Sequence, residues 1–477
     1  MDEIQSFIAS NAYIKTAVLL VDNCEELDYI CNFISNTSVN NLHILLYSDS
    51  GNIGYVKEEL AIRAKKRHYI LPEKMEIASV IDFDGCDDSD WALCFYGCDG
   101  DVLNDFLIYR PKWLIGAIGE SHVDAFSIWE KYRHFSEHIL IKTCFKDGRK
   151  RVLDWHKNSE SNIELSVILP MYNVEKYIGT CLDSLTKWEA DYVEFIVVND
   201  GSTDNGVDVV QKYIEADPRI ILINKENGGC ASARKAGLEF ARGNYVGFID
   251  PDDFTDETMY KKLLNAALEG SFDISLCGYN EYYEDSGKIV PAPDALWEPY
   301  ISGCYDANKI QELIVYARVA IWRGIYRKQF LTENGISFYT DLRRFDDLPF
   351  KVETFAFAKS IVMVPEYLYY YRLEREGQDV SANDERLYVH FDIFNHLNES
   401  IGKTRNQKLI DYLQMCKLQT HRYALSKILT EYKQEYIKRA ISDFDSLSDF
   451  KRTFAIANKM ISSEVAEDSR KIYSQEI

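Results

Sequence analysis

Four short stretches between Leu165 and Asp253 decide the fold of this chain. They read L-S-V-I-L-P-M-Y-N-V-E-K-Y (165–177), E-F-I-V-V-N-D-G-S-T-D-N (194–205), N-G-G-C-A-S-A-R (227–234) and Y-V-G-F-I-D-P-D-D (245–253). Three of them begin with an apolar run of strand length and end in a polar loop that carries Asn or Asp. In an open α/β sheet such loops lie side by side at the carboxyl ends of the strands, where nucleotides bind.

Asp250, Asp252 and Asp253 form the sharpest local signal in the chain. Carboxylates this close together at a strand end repel one another, so a positive partner is needed to stabilise them. The N-terminus of a following helix would favour one or two of these charges, whereas a bound cation would favour all of them. We therefore expect Mg²⁺ or Mn²⁺ here, bridging the oxygens of a diphosphate.

The other three loops are ambiguous when each is taken alone. Tyr172 suits stacking on a nucleotide base, although a tyrosine that caps the core is the commoner arrangement. Asp200 suits an imide N–H or a ribose hydroxyl, and an ordinary Asp-Gly turn that opens a helix is an equally good interpretation. Arg234 suits a phosphate contact, but a surface arginine after a Gly-rich turn is favoured.

Together, the ordered motifs resemble the family-2 inverting glycosyltransferases of the GT-A fold, especially the bacterial enzymes that build capsule, lipopolysaccharide or exopolysaccharide chains. The resemblance covers residues 163–380. It continues downstream in four further runs: I-W-R-G-I-Y-R (321–327), N-G-I-S-F (334–338), R-F-D-D-L-P-F (344–350) and Y-Y-Y-R (369–372).

The resemblance implies a role for each matching residue. Asp250 and Asp252 match the D-x-D motif and would bind Mn²⁺ or Mg²⁺, with Asp252 the more direct ligand. Asp347 matches the general base, and Asp346 stands beside it where the family has Glu. The residues expected to bind the donor nucleotide lie in the strand-end loops and on the helix after them: Pro170, Tyr172, Asn173, Glu175, Asp200, Asp204, Arg234 and Asp250.

The implied reaction moves a sugar from a nucleotide-diphosphate donor to a hydroxyl of a growing surface polysaccharide or lipid-linked glycan. The resemblance implies a UDP-sugar as the donor, because uridine is the common base in this family. Asp347 would deprotonate the acceptor hydroxyl, which attacks the anomeric carbon from the face opposite the nucleotide. Three positions depart from the family pattern, namely Lys235 for Asn, Pro251 inside the D-x-D motif and Asp346 for Glu. The last departure leaves open which acid is the base, and a solvated acidic turn is the alternative for both.

The chain divides by pattern into three parts. Residues 161–385 are the predicted GT-A catalytic domain, a Rossmann-like α/β fold for nucleotide-diphospho-sugars. Residues 1–160 alternate continuous apolar runs with helical stretches, which predicts a separate α/β Rossmann-like domain, and residues 146–161 suggest a linker. No dinucleotide fingerprint occurs in residues 1–160, so a docking or dimerisation role is favoured over a second transferase.

Residues 386–477 are predicted to be helical. Apolar residues recur at helical spacing in two stripes: Leu409, Tyr412, Leu413 and Cys416, then Leu425, Ile428, Leu429, Tyr432 and Tyr436. This segment carries 15 basic and 12 acidic residues, a net charge of +3. Packing on the catalytic domain is favoured, while pairing in a homo-oligomer and peripheral contact with an anionic membrane stay open.

Composition narrows the functional class. The net charge of −22 argues against a nucleic-acid partner. The 11 scattered cysteines include no C-x-x-C pair, which favours reduced thiols over disulfides or zinc. The N-terminus lacks the features of a signal peptide, and no apolar run is long enough for a membrane span, so we expect a cytoplasmic protein, with the inner face of the membrane as one site of action.

Two other functions remain open from the sequence. A non-catalytic protein that binds sugar nucleotides or acts as a scaffold in glycan assembly would keep the fold, but it need not retain Asp200, Asp252 and Asp347 together. A nucleotidyltransferase would share the fold class, but it would usually show a Gly-rich, basic signature directly after the first strand. Residues 169–177 contain none.

Overall fold

The fold is known from a computed structural model. It describes residues 161–292, 300–374 and 382–445 continuously, and within the first 160 residues it describes 16–21, 41–46, 74–78, 91–96, 113–118, 125–134, 136, 138–144 and 150–156. The chain divides into two compact units, residues 1–160 with 268–271 and residues 161–267 with 272–477. The predicted boundaries at 160 and 385 nevertheless stay predictions, and so does the three-domain division.

The described strands of the first unit form a seven-stranded sheet in the order β3-β2-β1-β4-β5-β6-β7. The strands are β1 Thr16–Val21, β2 Asn41–Leu46, β3 Lys74–Ala78, β4 Trp91–Tyr96, β5 Trp113–Ile118, β6 His138–Cys144 and β7 Lys150–His156. Strands β1 to β6 pair in parallel, and helix α1 (Ala125–Tyr132) lies between β5 and β6 in the chain. Most connections fall outside the described residues, so a separate Rossmann-like domain remains a prediction.

The linker predicted at 146–161 is wrong, because residues 150–156 form strand β7, which pairs antiparallel with β6. Within it, Leu153 and Trp155 are buried and Arg151 is only half-buried. An edge strand that alternates buried and polar positions contains enough charge to look like a linker in the sequence.

The described residues of the second unit contain a nine-stranded sheet in the order β10-β9-β8-β11-β15-β13-β16-β12, with β14 paired to β13. Its strands are β8 Leu165–Met171, β9 Val193–Asn199, β10 Ile220–Asn224, β11 Tyr245–Phe248, β12 Phe254–Thr255, β13 Ile274–Tyr283, β14 Lys288–Pro291, β15 Gly324–Arg327 and β16 Ile361–Leu373. Strands β10, β9, β8 and β11 are parallel, whereas β15 is antiparallel to both its neighbours.

Strand order creates a crevice between the ends of β8 and β11. The chain runs from β8 outward through β9 to β10, then returns to the other side of β8 as β11. The loops that leave β8 and β11 therefore diverge, and ligands of open α/β sheets bind at such a switch point. The first and last of the quoted sequence motifs form these two loops.

Helices cover the second unit. They are α2 Glu175–Thr186, α3 Gly206–Ala216, α4 Cys230–Phe240, α5 Met259–Glu269, α6 Ala307–Tyr316, α7 Lys328–Glu333, α8 Asp347–Phe357, α9 Val389–Gly402, α10 Gln407–Lys427 and α11 Thr430–Asp445. Gly237 lets α4 approach the sheet, since a Cβ there would lie 2.5 Å from Ile168 Cγ2. The described cysteines of this unit are free thiols, as predicted.

The described part of the C-terminal region, as far as Asp445, is helical, and α9 and α10 place buried residues in the same core as α8. The first predicted stripe lies on α10 and is buried. The second is wrong as a single stripe, because α10 ends at Lys427 and Ile428 turns to an extended conformation (ψ 137°) before α11 begins. Leu429 consequently lies 44% exposed. Among the described helices, none combines the length and the apolar character needed to cross a bilayer.

Candidate functional site

The loops after β8 and β9 are fastened to each other at the rim of the crevice. Asn173, in the left-handed region at φ 50°, accepts a hydrogen bond from the Thr203 backbone N–H at 2.8 Å. Asp204 accepts one from the Glu175 backbone N–H at 2.7 Å, and the Glu175 carboxylate accepts hydrogen bonds from both the backbone N–H and the side-chain Nδ2 of Asn205. Three of the predicted nucleotide-binding residues, Asn173, Glu175 and Asp204, thus form hydrogen bonds between the two loops, and these bonds fix the shape of the rim.

Pro170 and Tyr172 end strand β8 in different environments. Pro170 is buried within the strand, and its contact with a nucleotide stays a prediction. Tyr172 is 50% exposed, so the alternative in which its ring caps the core is wrong. An exposed aromatic face at the switch point is compatible with stacking on a base.

Asp200 fastens the loop after β9 to the start of α4. Its carboxylate is buried and accepts hydrogen bonds from Lys225 Nζ (2.6 Å) and from the backbone N–H groups of Gly228 (3.0 Å) and Gly229 (2.8 Å). Gly229 adopts φ 89°, which favours glycine, and so presents its N–H inward. A carboxylate accepts about four hydrogen bonds, so capacity remains for the predicted contact with a base or a ribose.

Arg234 connects the two acidic motifs. Its guanidinium is buried on α4, with Nη1 at 2.8 Å from Asp346 Oδ2 and Nη2 at 2.5 Å from Asp250 Oδ1. Burial opposes its charge, but the carboxylates outweigh that effect and hold the pKa of Arg234 well above its ordinary value. The surface arginine favoured from the isolated loop is therefore wrong, whereas a contact with phosphate stays a prediction.

Within the Asp250–Asp253 cluster, Asp252 and Asp253 are buried, and Asp250 is the more exposed acid. Asp253 is fully buried and accepts hydrogen bonds from Tyr369 Oη (2.6 Å) and the Arg372 backbone N–H (2.7 Å). Burial, then the charges of Asp252 and Asp250, raises the pKa of Asp253 well above its usual range. The Asp250 side chain, by contrast, is 26% exposed.

Tyr369 and Arg372 are residues whose roles sequence reasoning missed. Tyr369 also meets the Asp250 backbone N–H at 3.3 Å, and Arg372 Nε donates to the Asp252 carbonyl at 2.7 Å. Both lie on β16, more than a hundred residues beyond the acids that they hold. The Y-Y-Y-R run was the available signal, but its position beside Asp253 required the fold. Lys225 was missed in the same way.

Phe345 places the second acid pair. It adopts φ 54°, which an L side chain other than Asn, Asp or His seldom does, and it directly precedes Asp346 and Asp347. Helix α8 begins at Asp347, where the helix dipole favours negative charge. The backbone turn at Phe345 points Asp346 toward Arg234, while Asp347 opens the helix beside it.

Asp347 has the titration expected of a general base. Burial, followed by the nearby charges of Asp346 and Asp250, raises the pKa of Asp347 to about 6, although Arg234 opposes the shift. A carboxylate with a pKa close to the working pH is still mostly ionised there and binds a proton more readily than an ordinary aspartate. The alternative of a solvated acidic turn is wrong for Asp346, which is 4% exposed.

The described side chains supply only part of the ligand set that a divalent metal needs. Within the described residues, no three His, Cys, Asp or Glu side chains converge to hold an ion. Asp250 and Asp252 nevertheless lie on one loop at the switch point, and Mg²⁺ is typically bound by one or two carboxylates together with substrate phosphates and water. The donor set therefore fits a metal that arrives with a diphosphate.

Comparisons with known proteins agree with this architecture. Residues 166–357 match the family model named glycosyl transferase family 2. The chain is 30% identical over 263 residues to the uncharacterized glycosyltransferase YibD of Escherichia coli, covering 53% of this chain and 75% of that protein. It is 35% identical over 212 residues to the uncharacterized glycosyltransferase EpsJ of Bacillus subtilis, covering 44% of this chain but only 60% of EpsJ.

A related protein and a solved structure come from Staphylococcus aureus. The poly(ribitol-phosphate) beta-N-acetylglucosaminyltransferase TarS is 29% identical over 223 residues, which cover 46% of this chain and 37% of TarS. The crystal structure of TarS 1–349 in complex with UDP-GlcNAc aligns with a TM-score of 0.51 at 22% identity, over 66% of this chain and 91% of that one. At that identity, the likeness establishes the shared GT-A fold.

Proposed function

This chain belongs to glycosyl transferase family 2, and from that membership we propose that it is an inverting, metal-dependent enzyme. It transfers a sugar from a UDP-sugar to a hydroxyl of a surface polysaccharide or lipid-linked glycan under assembly. The observation that carries the proposal is the Arg234 bridge between Asp250 and Asp346, with Asp347 adjoining. It joins the predicted donor loop and the predicted base in one site.

In the proposed reaction, Asp347 accepts the proton of the acceptor hydroxyl while that oxygen attacks the anomeric carbon. The bond to the nucleotide diphosphate breaks on the opposite face, so the configuration inverts. Asp250 and Asp252 would hold Mg²⁺ or Mn²⁺, whose charge neutralises the departing diphosphate. Arg234 keeps Asp250 and Asp346 at a fixed separation, so the chain contributes positioning as well as proton transfer.

The two acids of the second pair have separate roles in this proposal. Asp346 is buried and bound to Arg234 at 2.8 Å, so protonating it would weaken an ion pair on which the site rests. Asp347 lies outside that ion pair and has a pKa raised to about 6. We therefore assign Asp347 as the base and Asp346 as the acid that orients Arg234.

The donor and acceptor classes rest on relatives rather than on this chain's contacts. TarS is named for transfer of N-acetylglucosamine to poly(ribitol phosphate), and its crystal structure contains UDP-GlcNAc. Tyr172 and Asp200 at the switch point would hold the uracil base, with Asp204 near the nucleotide. The remaining parts keep their proposed roles: docking or dimerisation by residues 1–160, and action at the inner face of a membrane.

Turnover of nucleotide sugars tests the proposal. The purified protein is incubated with Mn²⁺ and a panel of UDP-, GDP- and TDP-sugars, and the release of nucleoside diphosphate is measured with and without candidate acceptors. The wild type should release UDP from at least one donor, and UDP should raise its thermal stability. Asp252→Ala should release UDP about a hundredfold more slowly and show a smaller rise in thermal stability. A wild type that binds and turns over no nucleotide sugar would refute the enzyme and favour the scaffold alternative.

A further inference from the structure

The loop that carries the two catalytic-site acids lies against helix α9. Phe345 packs on the His390 ring with a centroid distance of 5.2 Å. Earlier in the same loop, Tyr339 stacks on His396 at 4.1 Å, and His396 Nε2 lies 2.7 Å from Asp341 Oδ2. Two histidines of one C-terminal helix therefore contact the loop on its way to Asp346. Both histidines lie outside the residues that match the family model.

His390 is the end of a buried polar chain. It is 2% exposed, and its Nδ1 lies 3.2 Å from Tyr436 Oη on α11. Tyr436 Oη lies 2.9 Å from Nδ1 of His421, whose Nε2 lies 3.1 Å from Asp443 Oδ2. Asp443 Oδ1 in turn accepts from Lys417 Nζ at 2.8 Å. This polar chain of side chains links α9, α10 and α11 and ends at the ion pair between Asp443 and Lys417.

The direction of each hydrogen bond follows from the neutral state of the two histidines and from the Asp443 carboxylate, which can only accept. Burial lowers the pKa of His421 and brings that of His390 to about 3, so both rings are neutral at ordinary pH. The Asp443 carboxylate only accepts, so His421 Nε2 donates to it and His421 Nδ1 accepts from Tyr436. The Tyr436 oxygen must then accept from His390 Nδ1–H. Each group is held in one orientation by the next.

Resting on the proposed function, we propose that Phe345 is a positioning residue for Asp346 and Asp347, held in its left-handed conformation by His390 and the polar chain behind it. An aromatic residue at φ 54° is unfavourable unless tertiary contacts maintain it. Release of the Phe345 ring lets the backbone relax. Only Asp346 separates Phe345 from Asp347, so this relaxation moves the Asp347 carboxylate relative to the acceptor hydroxyl.

Substitutions at Phe345 separate the ring contact from the backbone strain. Asn lacks the ring but tolerates the left-handed region, so Phe345→Asn should keep the backbone turn and most of the activity. Val lacks the ring and disfavours that region, so Phe345→Val should relax the backbone and lower kcat about tenfold to a hundredfold through misplacement of the base. Its Kd for UDP with Mn²⁺, measured by calorimetry, should stay within about twofold. Phe345→Tyr keeps the ring and should retain most of the activity.

A second pair of variants tests the polar chain at a distance from the site. Tyr436→Phe removes the hydroxyl that joins His390 and His421 and should lower kcat severalfold with unchanged UDP affinity. Tyr432→Phe is the matched control on the same helix, because its hydroxyl lies outside the chain, and it should behave like the wild type. Thermal unfolding of each variant shows that the folded protein is being assayed.

The outcomes distinguish this inference from the proposed function. A purely structural role predicts lower thermal stability for Tyr436→Phe with wild-type kcat in the folded protein. If that result appears and Phe345→Val also keeps kcat within about twofold, the positioning role is overturned while the transferase stands. A wild type that turns over no nucleotide sugar refutes the transferase, and the positioning role with it.

Discussion

The site contains two clusters of acids, one at the end of a strand and the other at the start of a helix, and each includes a buried carboxylate. One follows strand β11, where Asp253 is buried against Tyr369 and Arg372, and Asp250 reaches the cleft. The other opens helix α8, where Asp346 is buried against Arg234 and Asp347 adjoins it. In each cluster one carboxylate is buried and fixed by protein donors, and Arg234 links the two clusters through Asp250 and Asp346.

The difference between the clusters lies in how the buried acid is compensated. Asp253 receives neutral donors, a tyrosine hydroxyl and a backbone N–H, and its pKa is raised well above its usual range. Asp346 receives a buried cation at 2.8 Å. The comparison teaches that clustered acids need not all serve one metal, since one member can hold the loop while another acts. Substitutions within each cluster can separate the two roles.

The largest effect is expected in the second cluster. Asp347→Asn removes the base and should lower kcat about a hundredfold to ten-thousandfold with little change in UDP affinity. Asp346→Asn instead breaks a buried ion pair and should lower the free energy of unfolding by about 3 kcal/mol. Transfer assays, calorimetry with UDP and chemical denaturation measure the three quantities. An Asp346→Asn variant with wild-type stability and no activity would reverse the two roles.

The first cluster should divide in the same way. Asp252→Ala should lower activity about a hundredfold, because metal stabilisation of the leaving group is worth several kcal/mol. Asp253→Ala leaves two buried donors without their acceptor and should lower the free energy of unfolding by about 2 kcal/mol. Denaturation and Mn²⁺ titration of the transfer rate compare the pair. Equal loss of Mn²⁺ response in both variants would contradict the division.

The pH dependence of the reaction should report Asp347. Its pKa is raised to about 6, and a base acts only when deprotonated, so kcat/KM should rise with pH and level off above that value. Below it, the rate should fall about tenfold per pH unit, and the acidic limb should belong to the free enzyme. Initial rates between pH 4.5 and 8 measure it. An acidic limb near the ordinary aspartate value would mean that Asp347 is not the base.

The smallest effect concerns stability. Because the pKa of Asp347 is higher in the folded chain than in the unfolded chain, the folded state binds the proton more tightly, and ionisation at higher pH weakens folding. Asp347→Asn should therefore raise the free energy of unfolding by about 1 kcal/mol at pH 8, a figure reduced for solvent screening of a partly exposed group. The gain should vanish below about pH 4. A gain independent of pH would indicate packing instead.

The sequence predicted the strand-end loops because their signals are local. The apolar runs in the first two quoted stretches form β8 (Leu165–Met171) and β9 (Val193–Asn199). Local pattern failed where charge or spacing misled it. Residues 150–156 looked like a linker but form an edge strand, and the stripe from Leu425 to Tyr436 crosses a helix break at Ile428.

By itself, the sequence determined the family, the acids and their order along the chain, because these depend on residue types and short spacings. The tertiary structure alone decided which hydrogen-bond donor or cation each acid pairs with. Arg234 lies 112 residues from Asp346, and Tyr369 lies 116 from Asp253, so no local pattern pairs them. The pKa of Asp347 likewise depends on burial and on charges brought together by folding, which a linear sequence does not contain.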